Sequence, residues 1–117
     1  MGISLRVKSI DLSKAEAKGK KYEDAVKAAV SAAVLTDSTP YVPYLTHALR
    51  QSGERNTRYT EGLVIWGDSS VPYARVQYEK YPHKRMPGTQ MKWFEAAKRA
   101  RLNSWVKVAQ QAVKAVS

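Results

Sequence analysis

With 117 residues, 20 lysines and arginines, 10 acids and no cysteine, the chain carries a formal charge of +10. Lack of cysteine excludes disulfide scaffolds, thiolate zinc sites and cysteine nucleophiles. No run approaches the ~18 apolar residues that span a bilayer, and the N-terminus lacks an apolar signal core. The expectation is a single domain over residues 1–117, soluble, cytoplasmic where it is made and away from membranes. A chain of this size buries roughly two-thirds of its unfolded surface, enough for a real core.

Ile3, Leu5 and Val7 alternate with Ser4, Arg6 and Lys8, which predicts a short strand with one buried face. Ser13 and Glu16 have capping-box spacing, and a helix is expected from there to about Thr36. Its apolar positions, Tyr22, Ala25, Val26, Ala29, Val30, Ala33 and Val34, form one stripe. Much of that stripe is alanine, so another element can approach closely. The prolines of "TDSTPYVP" then force extended backbone.

"YLTHALRQSG" reads equally as a helical turn or as the start of a strand. "TRYTEGLVIWG" reads as a hairpin, with Glu61 and Gly62 in the turn and Leu63 to Trp66 as the second strand. Ser70 and Pro72 suit a helix start, so "PYARVQYE" is expected to be a short helix. "KYPHKRMPG" reads as a loop. A last helix should begin near Thr89 and carry Phe94, Ala97, Leu102, Trp105, Val108, Ala109, Ala112, Val113 and Val116 on one face. Asn103 and Ser104 weaken its middle, where it can break or kink.

The charge is uneven. Between Lys80 and Arg101 there are seven lysines or arginines against one acid, Glu95, and no acid follows Glu95. Lys80, Lys84, Arg85, Lys98, Arg99 and Arg101 are candidates to face DNA or an acidic partner. A solvated helix face is the plainer reading of the same run. Tyr73, Tyr78, Tyr81, Trp93 and Phe94 could stack bases. At helical spacing, however, large aromatics are more often core, and Trp66 on a strand reads the same way.

Catalytic signals are sparse. His47 and His83 are the only histidines, and neither has a second ligand at helical spacing, so no metal site is expected. No glycine-rich phosphate loop is present, and no cofactor is expected. "THALR" matches the His-x-x-Arg box of tyrosine recombinases, with His47 and Arg50 on the phosphate and Tyr78 or Tyr81 as nucleophile. "QSGER" then replaces the expected histidine and helix, and the chain is too short for the usual catalytic domain.

Taken in order, "TPYVPYLTHALRQSG", "GLVIWG", "VPYARVQYE" and "PGTQMKWFEAAKRARLNSW" resemble the small minor capsid or neck proteins of tailed phages. These belong with the head–tail joining and tail-completion proteins, and the resemblance runs from about Tyr22 to Trp105. One element falls on Val42, Pro43, Thr46, Leu49, Arg50 and Ser52, another on Pro72, Tyr73, Ala74, Arg75 and Tyr78, and a third on Pro87, Gly88, Trp93, Ala97 and Lys98. The chain departs from the pattern after Thr46, where His47 stands in place of the family's glycine, the residue that takes a positive φ without strain.

The resemblance implies an α+β fold, with a long N-terminal helix packed on a small antiparallel sheet, a short helix and a C-terminal helix. It implies a structural protein rather than an enzyme, assembled into a ring of six in the virion neck after synthesis in the host cytoplasm. The ring would join the head connector to the tail-tube or tail-terminator protein, with DNA passing through and transient non-specific contact with it. Pro43, Leu49, Arg50, Ser52, Pro72, Tyr73, Arg75, Tyr78, Pro87, Gly88 and Trp93 would then be fold and subunit-interface residues. The alternative is a small basic DNA-binding protein.

Overall fold

A computed structural model of the chain describes residues 3–6, 20–43, 47–79 and 91–116. Strand β1 (Ile3–Arg6) is followed by helix α1 (Lys20–Ser38) and a 3-10 turn at Thr39–Tyr41. Helix α2 (Ala48–Asn56), a second 3-10 turn (Tyr59–Glu61) and strand β2 (Leu63–Trp66) come next. The short helix α3 (Ala74–Glu79) and the long helix α4 (Trp93–Val116) complete an α+β fold. The capping-box residues Ser13 and Glu16, and the "KYPHKRMPG" loop, lie outside the described residues.

The stripe on α1 is buried as its spacing demands: Val26, Val30 and Val34, one turn apart, are sealed from solvent. Leu35, Ser31 and Ser38 widen the buried face. The small side chain of Ser31 lets the second 3-10 turn lie against the helix, and its Oγ donates to the Tyr59 carbonyl at 3.4 Å. Helix α1 makes its largest interface with α4 and a smaller one with β2. It extends to Ser38, slightly past the expected end. The Thr39 hydroxyl there donates back to the Leu35 carbonyl at 2.7 Å, and Pro40 turns the chain into the 3-10 segment.

The hairpin expectation holds for β2 and fails for its partner. Helix α2 persists to Asn56, so only Thr57 and Arg58 remain before the turn. The first strand therefore shrinks to one bridged residue, Arg58, opposite Leu63. Gly62 closes that turn in the left-handed region at φ 70°. The true partner of β2 is β1, antiparallel, with Ile3 opposite Trp66 and Leu5 opposite Val64. This register puts Ile3, Val64 and Trp66 into the core and leaves Ser4 and Arg6 exposed.

The ambiguous "YLTHALRQSG" segment becomes helical from Ala48, for a reason outside its own sequence. Arg50 Nε donates to the Val42 carbonyl at 2.8 Å and Nη2 to that of Pro40 at 3.2 Å, clamping the helix to the preceding turn. On the same helix the buried Ser52 Oγ donates to the Leu49 carbonyl at 2.6 Å and accepts the Gly67 N–H at 2.8 Å. His47 takes the residue before α2 into the left-handed region, at φ 61°. That is the position where the resemblance expects glycine. A left-handed L-residue costs roughly 1–2 kcal/mol, of which glycine's larger unfolded-state entropy would return about 0.5–1 kcal/mol. His47→Gly should therefore raise stability by up to about 1 kcal/mol, read as a higher melting temperature. His47→Ala, which keeps a Cβ at the same φ, should show no such gain.

Helix α4 runs unbroken through Asn103 and Ser104, so the expected weak point is not a kink. Both side chains are exposed there, and no packing force acts to bend the helix. Its N-terminal turns bury Trp93, Phe94, Ala96 and Ala97, and further along Trp105 and Ala109 reach the core. Trp93 is the hub: its ring meets Trp66 at 5.7 Å and Tyr78 at 4.6 Å, edge to face in both cases. Such pairs contribute about 0.5–1.5 kcal/mol each beyond area burial. Trp105 stacks on Phe94 at 5.8 Å and donates its Nε1 proton to Asp37 Oδ2 at 2.7 Å, tying α4 to the C-terminal end of α1.

Candidate functional site

Among the described residues, His47, Arg50 and Tyr78 do not come together as a phosphoryl-transfer site. His47 sits exposed before α2 in its left-handed conformation, and the Arg50 guanidinium is directed at the Val42 and Pro40 carbonyls. Tyr78 lies in the core against Trp93, where burial, helped by the Glu95 carboxylate, pushes its phenol up to about 12. That shift opposes the ionisation a nucleophilic tyrosine needs. Tyr81 is outside the described residues. Among the described residues no three His, Asp or Glu side chains gather as metal ligands, and no helix is long and apolar enough to cross a membrane.

The residues singled out from the sequence separate into two physical groups. Pro43, Leu49, Ser52, Tyr78 and Trp93 are buried, and Arg50 is the half-buried clamp described above. Their polarity and size answer to packing inside the chain. Pro72, Tyr73 and Arg75 are exposed at the start of α3, while Ala74 between them is fully buried. The turn that delivers them is held by Asp68. Its carboxylate accepts from the Ser70 hydroxyl at 2.6 Å, from Asn56 Nδ2 at 2.8 Å and from Arg55 Nε at 3.1 Å. It also accepts the backbone N–H of Ser70 at 2.9 Å and of Val71 at 3.1 Å. These donors, with the Ser70 hydroxyl foremost, hold its pKa well below the usual carboxylate range. The three exposed side chains thus stand on a fixed turn rather than on a loose loop. Pro87 and Gly88 fall outside the described residues.

Of the basic candidates, Lys98 is half-buried and Arg99 and Arg101 are exposed on α4, whereas Lys80, Lys84 and Arg85 are outside the described residues. The structure adds Lys107 and Lys114, which the charge count up to Arg101 overlooked. Both are exposed, and with Arg99, Asn103 and Gln110 they follow i, i+4, i+8, i+11, i+15 spacing. That polar period, the complement of the apolar one, was the signal available in the sequence. Among the described residues, the large apolar side chains left in solvent are Tyr59, Tyr73, Met91 and Leu102.

A family model described as minor capsid protein matches residues 5–113, nearly the whole chain. No curated protein and no solved structure matches it.

Proposed function

The chain belongs to the minor capsid protein family of bacteriophages and is a structural component of the virion, and from that premise we propose that it forms a ring in the neck. The ring, of six copies, joins the head connector to the tail-tube or tail-terminator protein and lets DNA pass. The role is assembly rather than catalysis. It is made in the host cytoplasm and ends in the neck of the particle. The observation that carries this reading is the exposed trio Pro72, Tyr73 and Arg75, held on a rigid turn.

A pre-formed surface loses little entropy on docking. Tyrosine and arginine are the side chains that most often anchor interfaces, each offering a flat area with a polar end. Arg75 can pair bidentately with a neighbour's carboxylate, which lysine could not reproduce. Tyr78, buried in the chain's own core, is not available for that role, and Tyr73 takes its place.

Truncating such an anchor typically costs ~2 kcal/mol or more, about 30-fold per contact, and a closed ring repeats the loss at each interface. Arg75→Ala and Tyr73→Ala, made separately, should therefore leave a chain with unchanged circular dichroism and melting. Phage carrying either should accumulate unjoined heads and tails in electron micrographs. Normal joining by both folded variants would remove this surface from the interface.

A further inference from the structure

We propose that the solvent face of α4 binds the phosphate backbone of duplex DNA without regard to sequence. The inference stands on the helix alone and goes beyond the ring reading.

Away from α4 the chain neutralises three of its described cations. Lys27 pairs with Glu23 at 2.7 Å, Arg55 with Asp68, and Arg58 with Glu61 at 3.4 Å. On α4 it does not. Arg99, Lys107 and Lys114 are exposed, and none of the three is in an ion pair among the described residues. The last acid in the sequence is Glu95, one turn before the row begins. Asn103 and Gln110 stand in line between the cations, so five donor side chains follow one another along one face. At 1.5 Å per residue the row is about 22 Å long, with neighbouring donors about 5–6 Å apart. The helix is unbroken along the row, and its opposite side is anchored by Trp105 and Ala109 in the core and by the Trp105–Asp37 hydrogen bond.

The composition of the row selects its partner. Arg, Lys, Asn and Gln are the side chains that contact phosphate oxygens, and such contacts carry no sequence information. A face for docking an acidic protein would need an apolar centre. This row has none, since Leu102, the large apolar side chain exposed among the described residues of α4, lies to one side of it. A second copy meeting this row with its own would be repelled, because each row carries Arg99, Lys107 and Lys114.

The test uses the purified full chain and two fluorescently labelled 30-base-pair duplexes of unrelated sequence, followed by anisotropy over a range of salt. Both duplexes should bind alike. Removing the three cations as R99Q/K107Q/K114Q should reduce the slope of log K against log salt by about 2.7, at ~0.9 per phosphate contact. The control R58Q/K92Q/R101Q removes the same charge from exposed positions off the row and away from the Tyr73–Arg75 surface, and should change the slope far less. Equal effects of the two triple variants would overturn the proposal, since net charge alone would then explain binding. So would absent duplex binding at low salt, or binding to polyglutamate that duplex cannot displace. If the triple variant fails to fold, Lys107→Glu alone must lower the slope by at least about 0.9, and an unchanged slope overturns the proposal. Failure here leaves the neck reading standing, because that is judged by whether heads and tails join.

Discussion

Replacing Val30 by aspartate is expected to unfold the protein. Val30 is 0% exposed and sits between Val26 and Val34 on the face of α1 that meets α4 and β2. The described neighbours in that core are apolar, and the nearest buried polar side chain along the helix, Ser31, is directed at the Tyr59 carbonyl. A carboxylate there would have to ionise unpaired or stay protonated and unsatisfied, at a cost of several kcal/mol. The whole stability of a domain is about 5–15 kcal/mol. The expected result is loss of helical circular dichroism at room temperature, or a melting transition shifted down by tens of degrees. Ala32→Asp, two residues away and exposed, provides the contrast: it should cost under about 1 kcal/mol, as helix propensity alone dictates. A normally melting Val30→Asp protein would mean that this face of α1 does not point inward.

Gly53→Ala is expected to destabilise by about 1–3 kcal/mol, as overpacking of a close contact does. The sign is informative, because glycine to alanine inside a helix ordinarily gains about 1 kcal/mol. Gly53 lies on the buried side of α2, and a Cβ there would stand 2.5 Å from Trp66 Nε1, 2.7 Å from Trp66 Cδ1 and 2.9 Å from Leu35 Cδ1. Trp66 is fully buried and held against Trp93, so it cannot swing away without opening the aromatic cluster. Urea unfolding followed by circular dichroism should show a lower midpoint. A higher midpoint would show that the indole does not approach α2 so closely.

Much of this architecture was legible from periodicity. The apolar stripe of α1, the alternation in β1 and the run at β2 each depend on a repeat contained within one element. The tryptophans were legible as core for the same reason. What escaped depends on partners far away in sequence. Nothing inside "YLTHALRQSG" indicates helix; the Arg50 clamp onto Val42 and Pro40 does. The pairing of β2 with β1 rather than with "TRYT" could not be read locally, because it follows from where α2 stops. The close seat of Trp66 on Gly53 joins α2 to β2 and has no signature in either segment. In the candidate site, composition indicated the basic C-terminal region but not its face. Only the helical register separates Arg99, Lys107 and Lys114 from Arg101, which lies on another side. The short elements around Tyr73 and Tyr78 looked alike in sequence, yet one tyrosine is exposed and the other is buried four residues before Pro82.

The burial of all three tryptophans gives the chain an internal optical reporter. Trp66, Trp93 and Trp105 are each 0% exposed, so their emission should be blue-shifted in the folded chain and shift red when the core opens. None reaches the surface where Tyr73, Arg75 or the α4 row would meet a partner, so docking should leave the emission wavelength nearly unchanged. A variant that fails to assemble with blue emission has lost a contact; one with red emission has lost its fold. The same spectrum therefore sorts surface defects from core defects in each of the substitutions above, without any added label.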